Sequence, residues 1–592
     1  MARKAFQSWV IDGKPRQGYV YDQMRFYRAR FKYALRECRR QELAITSNKL
    51  AGYMRNRCYK DFWNEIDKKS KTKGVLSSCI EGVTGEANIA MYWKTHYESI
   101  LNCCCNVQYK QTVIECFEQN AVASERLQVS PYEVEIAISN LKRGKACGHD
   151  GIFSEAILYS DRALHVLLSM CFTAIIRHSY IPVYMLESII VPVAKNKSGD
   201  LSSCHNYRPI ALSCIASKLL EFMLLLRLQD YLSTTDNQFG FKKGSSAELC
   251  VYTLHEYIEY FRKTSTSIFI TFLDASKAFD KLNHWILWKK MLDKGTPIYI
   301  VKLLYFWYSN QKMRVKWGFH LSEYFSVSNG VRQGSLLAPR LYSLYVNDLS
   351  IMLNKCGIGG KIEGIQYNHL FYADDICVMS LSTAGLQKLL SICENYCNSH
   401  DIVFNPSKTV SIAIKAKHDR LLSPPMIVSG QEIAYVESVR YLGVIICRNT
   451  KTDSDVHRQV RKLYYQCNKL IRHFRNCTYD VKCDLFRSYC TSLYCSPLWF
   501  RSTKATLNKA RVAYNNGLRR LLGIPSFCSA SEMFVNLSIS SFQELIRNNI
   551  ASLRERVLKT RNKLVQTFSS GTPYLFSTIR DYWSRQTHTF HM

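Results

Sequence analysis

The strongest pattern in the chain is a nearly unbroken apolar run, Ser267-Ile-Phe-Ile-Thr-Phe-Leu273. β-Branched and aromatic residues in so short a run predict a strand covered on both faces. Ser188-Ile-Ile-Val-Pro-Val193 predicts a second strand, and Tyr367 to Ser380 two short strands around a tight acidic turn. Helical spacing governs Met91 to Glu118, Ser217 to Leu232 and most of the chain after Thr450. Pro131 to Leu141 predicts a further helix, opened by Ser130 with Glu133 three residues on, the spacing of a capping box. Ala163 to Ile176 is the longest apolar candidate, but it contains Ser and His and falls short of the ~18 residues that cross a membrane. It reads as a core helix. Gly74 to Gly85 breaks the helical pattern and reads as a linker. There is no internal repeat and no low-complexity tract.

Composition narrows the class. A chain of 592 residues exceeds what one core usually serves, so several subdomains are expected. Hydrophobic content of 47% excludes a disordered chain. With 79 Lys+Arg against 47 Asp+Glu, the net charge of +32 suits a polyanion, nucleic acid first and an anionic membrane surface second. The start, Met1-Ala-Arg-Lys-Ala5, lacks the apolar core of a secretory signal. Nucleic acid therefore leads, no membrane partner is expected, and a cytoplasmic or nuclear location is. Between Tyr21 and Lys73, Arg25, Arg28, Arg30, Lys32, Arg36, Arg39 and Arg40 interleave with Phe26, Tyr27, Phe31 and Tyr33. Such a segment can grip phosphate and stack on bases, or it can bury its rings and solvate its charges; inward packing is expected of any single ring, and nucleic-acid contact stays open for the segment as a whole. The 23 cysteines show no disulfide framework: Cys103, Cys104 and Cys105 are consecutive, and Cys477, Cys483, Cys490 and Cys495 form no CxxC pair for zinc. Reduced, mostly buried thiols are expected.

Two acidic features carry the chemistry. Asp274 ends the strongest predicted strand, where an acid is a poor occupant. Alone, it reads best as a helix cap. Asp374 and Asp375 sit together at the turn between Tyr367–Tyr372 and Ile376–Met379. Alone, an Asp-Asp turn is a solvated hairpin, although apolar flanks fit that poorly. Together, a strand-end acid beside a hairpin pair can bridge two divalent ions ~3.5–4 Å apart, the arrangement that supports in-line phosphoryl transfer. Gly144-Lys-Ala-Cys-Gly-His-Asp-Gly151 could wrap a phosphate but lacks P-loop spacing.

These residues resemble a known family. Phe371-Tyr-Ala-Asp-Asp375 is similar to the catalytic motif of reverse transcriptases, and Thr271-Phe-Leu-Asp-Ala-Ser-Lys-Ala-Phe-Asp280 to their first aspartate motif. Asn329-Gly-Val-Arg-Gln-Gly-Ser-Leu-Leu-Ala-Pro339, continuing to Tyr345-Val-Asn-Asp348, resembles the motif that positions template and nucleotide. Asn206-Tyr-Arg-Pro-Ile210, Gln238-Phe-Gly-Phe241, Asn405-Pro-Ser-Lys408 and Tyr441-Leu-Gly-Val444 follow in the family's order. The style, with Gly144 to Gly151 ahead, is that of non-LTR, LINE-type retrotransposons, jockey-like among them. The resemblance is strong over Leu141 to Cys447.

The resemblance implies an α+β right-hand polymerase with fingers, a palm built on an antiparallel sheet and a helical thumb. The implied order is a basic helical extension and linker at 1–140, fingers and palm at 141–447 (core motifs 188–447), a thumb at 448–524 and a helical tail at 525–592. It implies metal ligation by Asp274, Asp374 and Asp375, with two Mg²⁺ ions or Mn²⁺ in their place. Phe279 would exclude a ribonucleotide 2′-hydroxyl, and Arg208 would grip the triphosphate, with Lys195 or Lys197 assisting. Gln333 and Gly334 would face template and nucleotide, and Lys408 would serve the leaving pyrophosphate. The partners implied are an RNA template, a DNA primer or target, and dNTPs. Cys147, His149 and Arg340 depart from the family pattern. The stretch before Leu141 is too short for the endonuclease such elements carry, and no RNase H set follows Thr450. The rivals are an RNA-dependent RNA polymerase, against which Phe279 argues, and a non-catalytic RNA-binding protein derived from a retroelement.

Overall fold

The computed structural model describes residues 1–592 apart from 57, 59, 60, 64, 66–75, 105, 120–127, 198, 276, 277, 417, 420–422 and 589–592. Of the residues singled out above, Lys73, Gly74, Cys105, Ser276, Lys277 and the side chain of Arg39 lie outside the described residues. The chain forms two compact units. One comprises residues 1–75, 456–494 and 503–546, the other 76–455, 495–502 and 547–592.

The first unit is helical. Its helix Tyr19–Arg55 carries the basic–aromatic segment. Phe26, Phe31 and Tyr33 are 58%, 57% and 71% exposed, so these rings stand in solvent beside the arginines rather than packing inward. Elsewhere in this unit Phe62 stacks on Phe474 and Trp63 meets Tyr489 edge-on.

The second unit is mixed. In chain order its main elements are α1 (Glu86–Ile100), α2 (Pro131–Ser139), α3 (Arg162–His178), β1 (Glu187–Ala194), β2 (Tyr207–Ser213), α4 (Ile215–Leu228) and α5 (Ala247–Lys263). There follow β3 (Ile268–Asp274), α6 (His284–Asp293), α7 (Ile298–Asn310), β4 (Lys312–Trp317), α8 (Ala338–Tyr345) and α9 (Asn347–Lys355). Then come β5 (His369–Tyr372), β6 (Asp375–Ser380), α10 (Thr383–Ser399), β7 (Val410–Ile414), β8 (Ser438–Tyr441), β9 (Val444–Cys447), α11 (Lys563–Ser570) and α12 (Thr578–His588).

Four strands make an antiparallel sheet in the order β5-β6-β3-β7. β3 is central, which explains its unbroken apolar sequence: six of its seven residues are buried. Its one polar interior residue, Thr271, is hydrogen-bonded to Ser411 of β7 at 2.8 Å. A second sheet pairs β1 antiparallel with β2 and parallel with β4. Trp288, Trp307, Tyr342 and Tyr345 fill the core beneath the first sheet.

The capping box at Ser130 forms as its spacing predicts. The helix expected over Met91 to Glu118 is broken, with α1 ending at Ile100 and a new helix starting at Lys110. The carbonyl of Leu101 accepts from the backbone N–H groups of Ser328 and Asn329, and Cys104 N–H donates to the Asn329 side chain. Contacts more than two hundred residues away thus override local helical spacing. The end of the expected linker is also ordered, as a hairpin of Cys79–Ile80 with Val83–Thr84.

The end of the chain packs on α5. Trp583 stacks on Tyr252, the Tyr252 hydroxyl donates to Phe568 O at 3.1 Å, and Ser577 Oγ donates to Glu256 at 2.5 Å. Burial pushes the Glu256 carboxyl up to about 8. The folded protein therefore keeps a proton there that the unfolded chain has already lost above its ordinary 4.5. That contribution to stability is present below pH 4.5 and is lost as pH rises through about 8. Denaturant midpoints measured across this range are expected to fall with pH, and Glu256→Gln to flatten the fall.

Candidate active site

The site begins with a register. In the β6–β3 ladder Asp375 is paired directly with Asp274, followed by Ile376 with Leu273 and Cys377 with Phe272. Directly opposed residues of antiparallel strands project from the same face, so the two acids share one edge of the sheet. Asp374 occupies the preceding turn, since Tyr372 pairs with Asp375 and only Ala373 and Asp374 intervene. The cap alternative for Asp274 falls, because the next helix, α6, is capped by Asn283. The Asp-Asp turn is likewise not a free hairpin.

A two-residue turn of this kind needs a left-handed first residue. Ala373 supplies it at φ 60°, a conformation a residue with a side chain adopts at a cost. The segment Asn237–Phe241 holds it there. Phe371 N–H donates to Asn237 O and Phe239 N–H to Phe371 O, both at 2.8 Å. The side-chain oxygen of Gln238 accepts from Ala373 N–H at 3.1 Å and Gly240 N–H at 2.9 Å. Gly240 must be glycine: a Cβ there would stand 2.4 Å from Ala373 N.

Asp374 and Asp375 are exposed to solvent yet closely surrounded. Crowding raises the carboxyl of Asp374, and Asp274 raises it further, while Arg208 on β2 pulls it down. The same crowding, with Asp374 and Asp274, pushes Asp375 up to about 6. Water reaches both groups and screens their charges. Lys408 Nζ lies 3.8 Å from Asp274 Oδ2. Among the described residues no group of three or more His, Cys, Asp or Glu is drawn tightly enough to hold a metal ion. The three acids nevertheless fit a hard divalent cation by their all-oxygen donor chemistry, their common edge and the repulsion a cation would relieve.

Phe279 stacks on the buried Tyr342 at 4.5 Å and meets Phe241 edge-on at 6.4 Å. Gln333 donates through Nε2 to Asp280 at 2.8 Å, and its carbonyl accepts from Ala211 N–H on β2 at 2.8 Å. Gly334 has φ 122°, and a Cβ there would lie 2.8 Å from Ala211 O. Lys195 is turned to its own hairpin, donating to His205 O at 2.8 Å, and Lys197 is exposed.

Three supports carried no assigned role in the sequence. Gln238 holds the turn, and Asp280 holds Gln333. Arg332 is buried against Glu221 at 2.7 Å with its guanidinium over Trp307, and Glu221 also accepts from Leu336 N–H. The signal for the last pair is visible: Glu221 is the lone acid in Leu219-Leu-Glu-Phe-Met-Leu-Leu-Leu226.

Residues 193–446, which include both sheets' site residues, match the family model described as reverse transcriptase (RNA-dependent DNA polymerase). This part of the chain is similar to reverse transcriptase domains, and the curated relatives it matches are named as polymerases or Pol polyproteins of mobile elements. The chain is 26% identical over 452 residues to the RNA-directed DNA polymerase from mobile element jockey of Drosophila funebris, covering 73% of this chain and 48% of the relative. It is 23% identical over 485 residues to the "Probable RNA-directed DNA polymerase from transposon BS" of Drosophila melanogaster, covering 79% and 52%. The Pol polyprotein of retrotransposable element R2 from Popillia japonica is 27% identical over 294 residues, covering 48% and 39%. The chain spans about half the length of the first curated relatives it matches. Among solved structures, telomerase from Candida tropicalis with a fragment of telomeric RNA aligns over 90% of this chain and 88% of its own at 12% identity and a TM-score of 0.37, too low to bear on function.

Gln238→Leu is expected to leave two N–H groups without their acceptor, at a cost of ~1–3 kcal/mol each at most. Denaturant unfolding should register the loss.

Proposed function

We propose that the chain is an RNA-directed DNA polymerase of a non-LTR retrotransposon, adding dNTPs to a primer 3′-OH on an RNA template. The observation that carries this is the cross-strand pairing of Asp375 with Asp274, with Asp374 in the adjoining turn, inside the segment that matches the reverse transcriptase family. In the proposed reaction the primer 3′-oxygen forms a bond to the α-phosphorus of the dNTP as the bond to pyrophosphate breaks. Asp274, Asp374 and Asp375 would hold two divalent ions, Mg²⁺ or Mn²⁺. Bound there, such ions would polarise the phosphoryl oxygens and offset the charge of attacking and leaving groups.

The protein's own groups do the rest. Arg208 stands on the acid side of the site, electrostatically linked to Asp374, where a guanidinium can brace a triphosphate. Lys195 and Lys197, at the end of the same hairpin, add positive charge. Phe279, backed by Tyr342, offers a ring whose bulk rejects a 2′-hydroxyl. Gln333 and Gly334 place a side chain and a bare backbone against base and template. Lys408 supplies a cation, and a proton, to the leaving pyrophosphate. The exposed arginines and rings of helix Tyr19–Arg55 suit a nucleic-acid strand. No helix among the described residues is long and apolar enough to cross a membrane.

Primer extension on poly(rA)/oligo(dT) with Mg²⁺ tests this directly. The wild type should extend, and Asp374→Ala should lose more than the ~10–100-fold that removing a supporting residue costs. Equal extension by both would overturn the mechanism. Phe279→Ala should gain ribonucleotide incorporation, and an unchanged dNTP preference would remove Phe279 from its role.

A further inference from the structure

Behind the Asn329–Gln333 turn lies a cavity of about 20 Å³, enough for one water molecule. Its lining includes Asp280, Asn329, Gln333 and Gln311 among apolar groups such as Leu101 and Met313. Gln311 follows α7 as its C-cap and leads into β4. It is 2% exposed, and neither its Nε2 nor its Oε1 has a protein partner. A buried amide with both atoms unpaired is rare, because each forgone hydrogen bond carries a desolvation penalty. The Tyr97 hydroxyl, on the neighbouring α1, is a second buried group without a protein partner. It lies within electrostatic reach of Asp280. Gln311 thus shares the cavity wall with the carboxylate that holds Gln333.

We propose that this cavity is a water-binding site, and that Gln311, acting through the bound water, is a positioning residue for the Asp280–Gln333 pair. The site meets the requirements for buried water: room for one molecule and several polar partners at its wall. The water donates to the Asp280 carboxylate and exchanges a hydrogen bond with the Gln311 amide. Asp280 then keeps the oxygen that accepts from Gln333 Nε2 in a fixed orientation. An apolar residue at 311 would remove the water's hydrogen bond to position 311 and loosen Gln333.

The functional half of this inference rests on the polymerase function proposed above; the hydration half does not. An experimental structure of the full chain, at a resolution that shows ordered solvent, should place a water within hydrogen-bond distance of the Gln311 amide and Asp280. A dry cavity, or a Gln311 amide turned onto a protein partner, overturns the site. In single-nucleotide extension, Gln311→Met should raise KM for dNTP about fivefold, the equivalent of one lost hydrogen bond. It should increase misinsertion while leaving kcat within about twofold. Wild-type KM and fidelity in that variant would overturn the positioning role even with the water present. A wild-type protein that does not extend at all would count against the polymerase function, and the solvent density would still decide the hydration site.

Discussion

Three carboxylates at one sheet edge repel one another, and much of the second unit is arranged to keep them there. The pairing of Asp375 with Asp274 admits no slippage: a one-residue shift would send Asp375 to the opposite face. The shift is opposed by the burial of Ile376, Cys377, Val378 and Met379 against β3 and by the Thr271–Ser411 hydrogen bond in the interior. Apolar packing thus enforces an electrostatic arrangement that the charges alone would undo. Arg208 and Lys408 flank the acids from β2 and from the segment before β7, and each offsets part of the repulsion.

The turn that carries Asp374 shows the same logic at shorter range. Ala373 holds a left-handed backbone, and Gln238 and Gly240 keep it there from a separate part of the chain. On the other side, the Asn329–Gly334 turn is tied to β2 through Ala211, to Asp280 through Gln333 and to α4 through Arg332 and Glu221. A buried ion pair is weak grounds for stability, because desolvation offsets its attraction. Its geometry is a better account of its presence: Glu221 accepts from both Arg332 and Leu336 N–H, so it sets the path of the chain between that turn and α8.

Much of this was legible in the sequence. The continuous apolar run identified β3 as central because only a strand covered on both faces needs such a run. The acidic hairpin was legible from apolar flanks around a two-residue turn. What escaped were consequences of distant contacts. The end of α1 is tied to a distant part of the chain, where the Leu101 carbonyl meets Ser328 and Asn329 across the fold. The packing of residues 563–588 on α5 rests on pairs such as Tyr252 with Trp583, three hundred residues apart. Gln238 was visible only as part of a motif, since its hydrogen bond to Ala373 requires the folded hairpin to exist. For each single ring of helix Tyr19–Arg55 the sequence favoured inward packing, yet Phe26, Phe31 and Tyr33 stand in solvent: periodicity tells which residues share a face, and only packing tells whether that face is covered.

Selection of a nucleotide by shape demands stiffness, and stiffness in the aromatic wall is inherited rather than local. Phe279 is only partly buried. Taken alone, a half-exposed ring near the chain-bend at Asp280 could swing aside to admit an extra hydroxyl. It is held because Tyr342, fully buried at its back, lies on α8. The start of α8 follows directly from the turn that Glu221, Arg332 and Ala211 anchor. The backbone of Phe279 is joined to that same turn, its carbonyl accepting from Val331 N–H at 2.8 Å. The ring proposed to judge the sugar and the glutamine proposed to meet the base therefore share one support. A disturbance of the turn should reach both kinds of selection together, whereas a change at Phe279 alone should reach only the sugar.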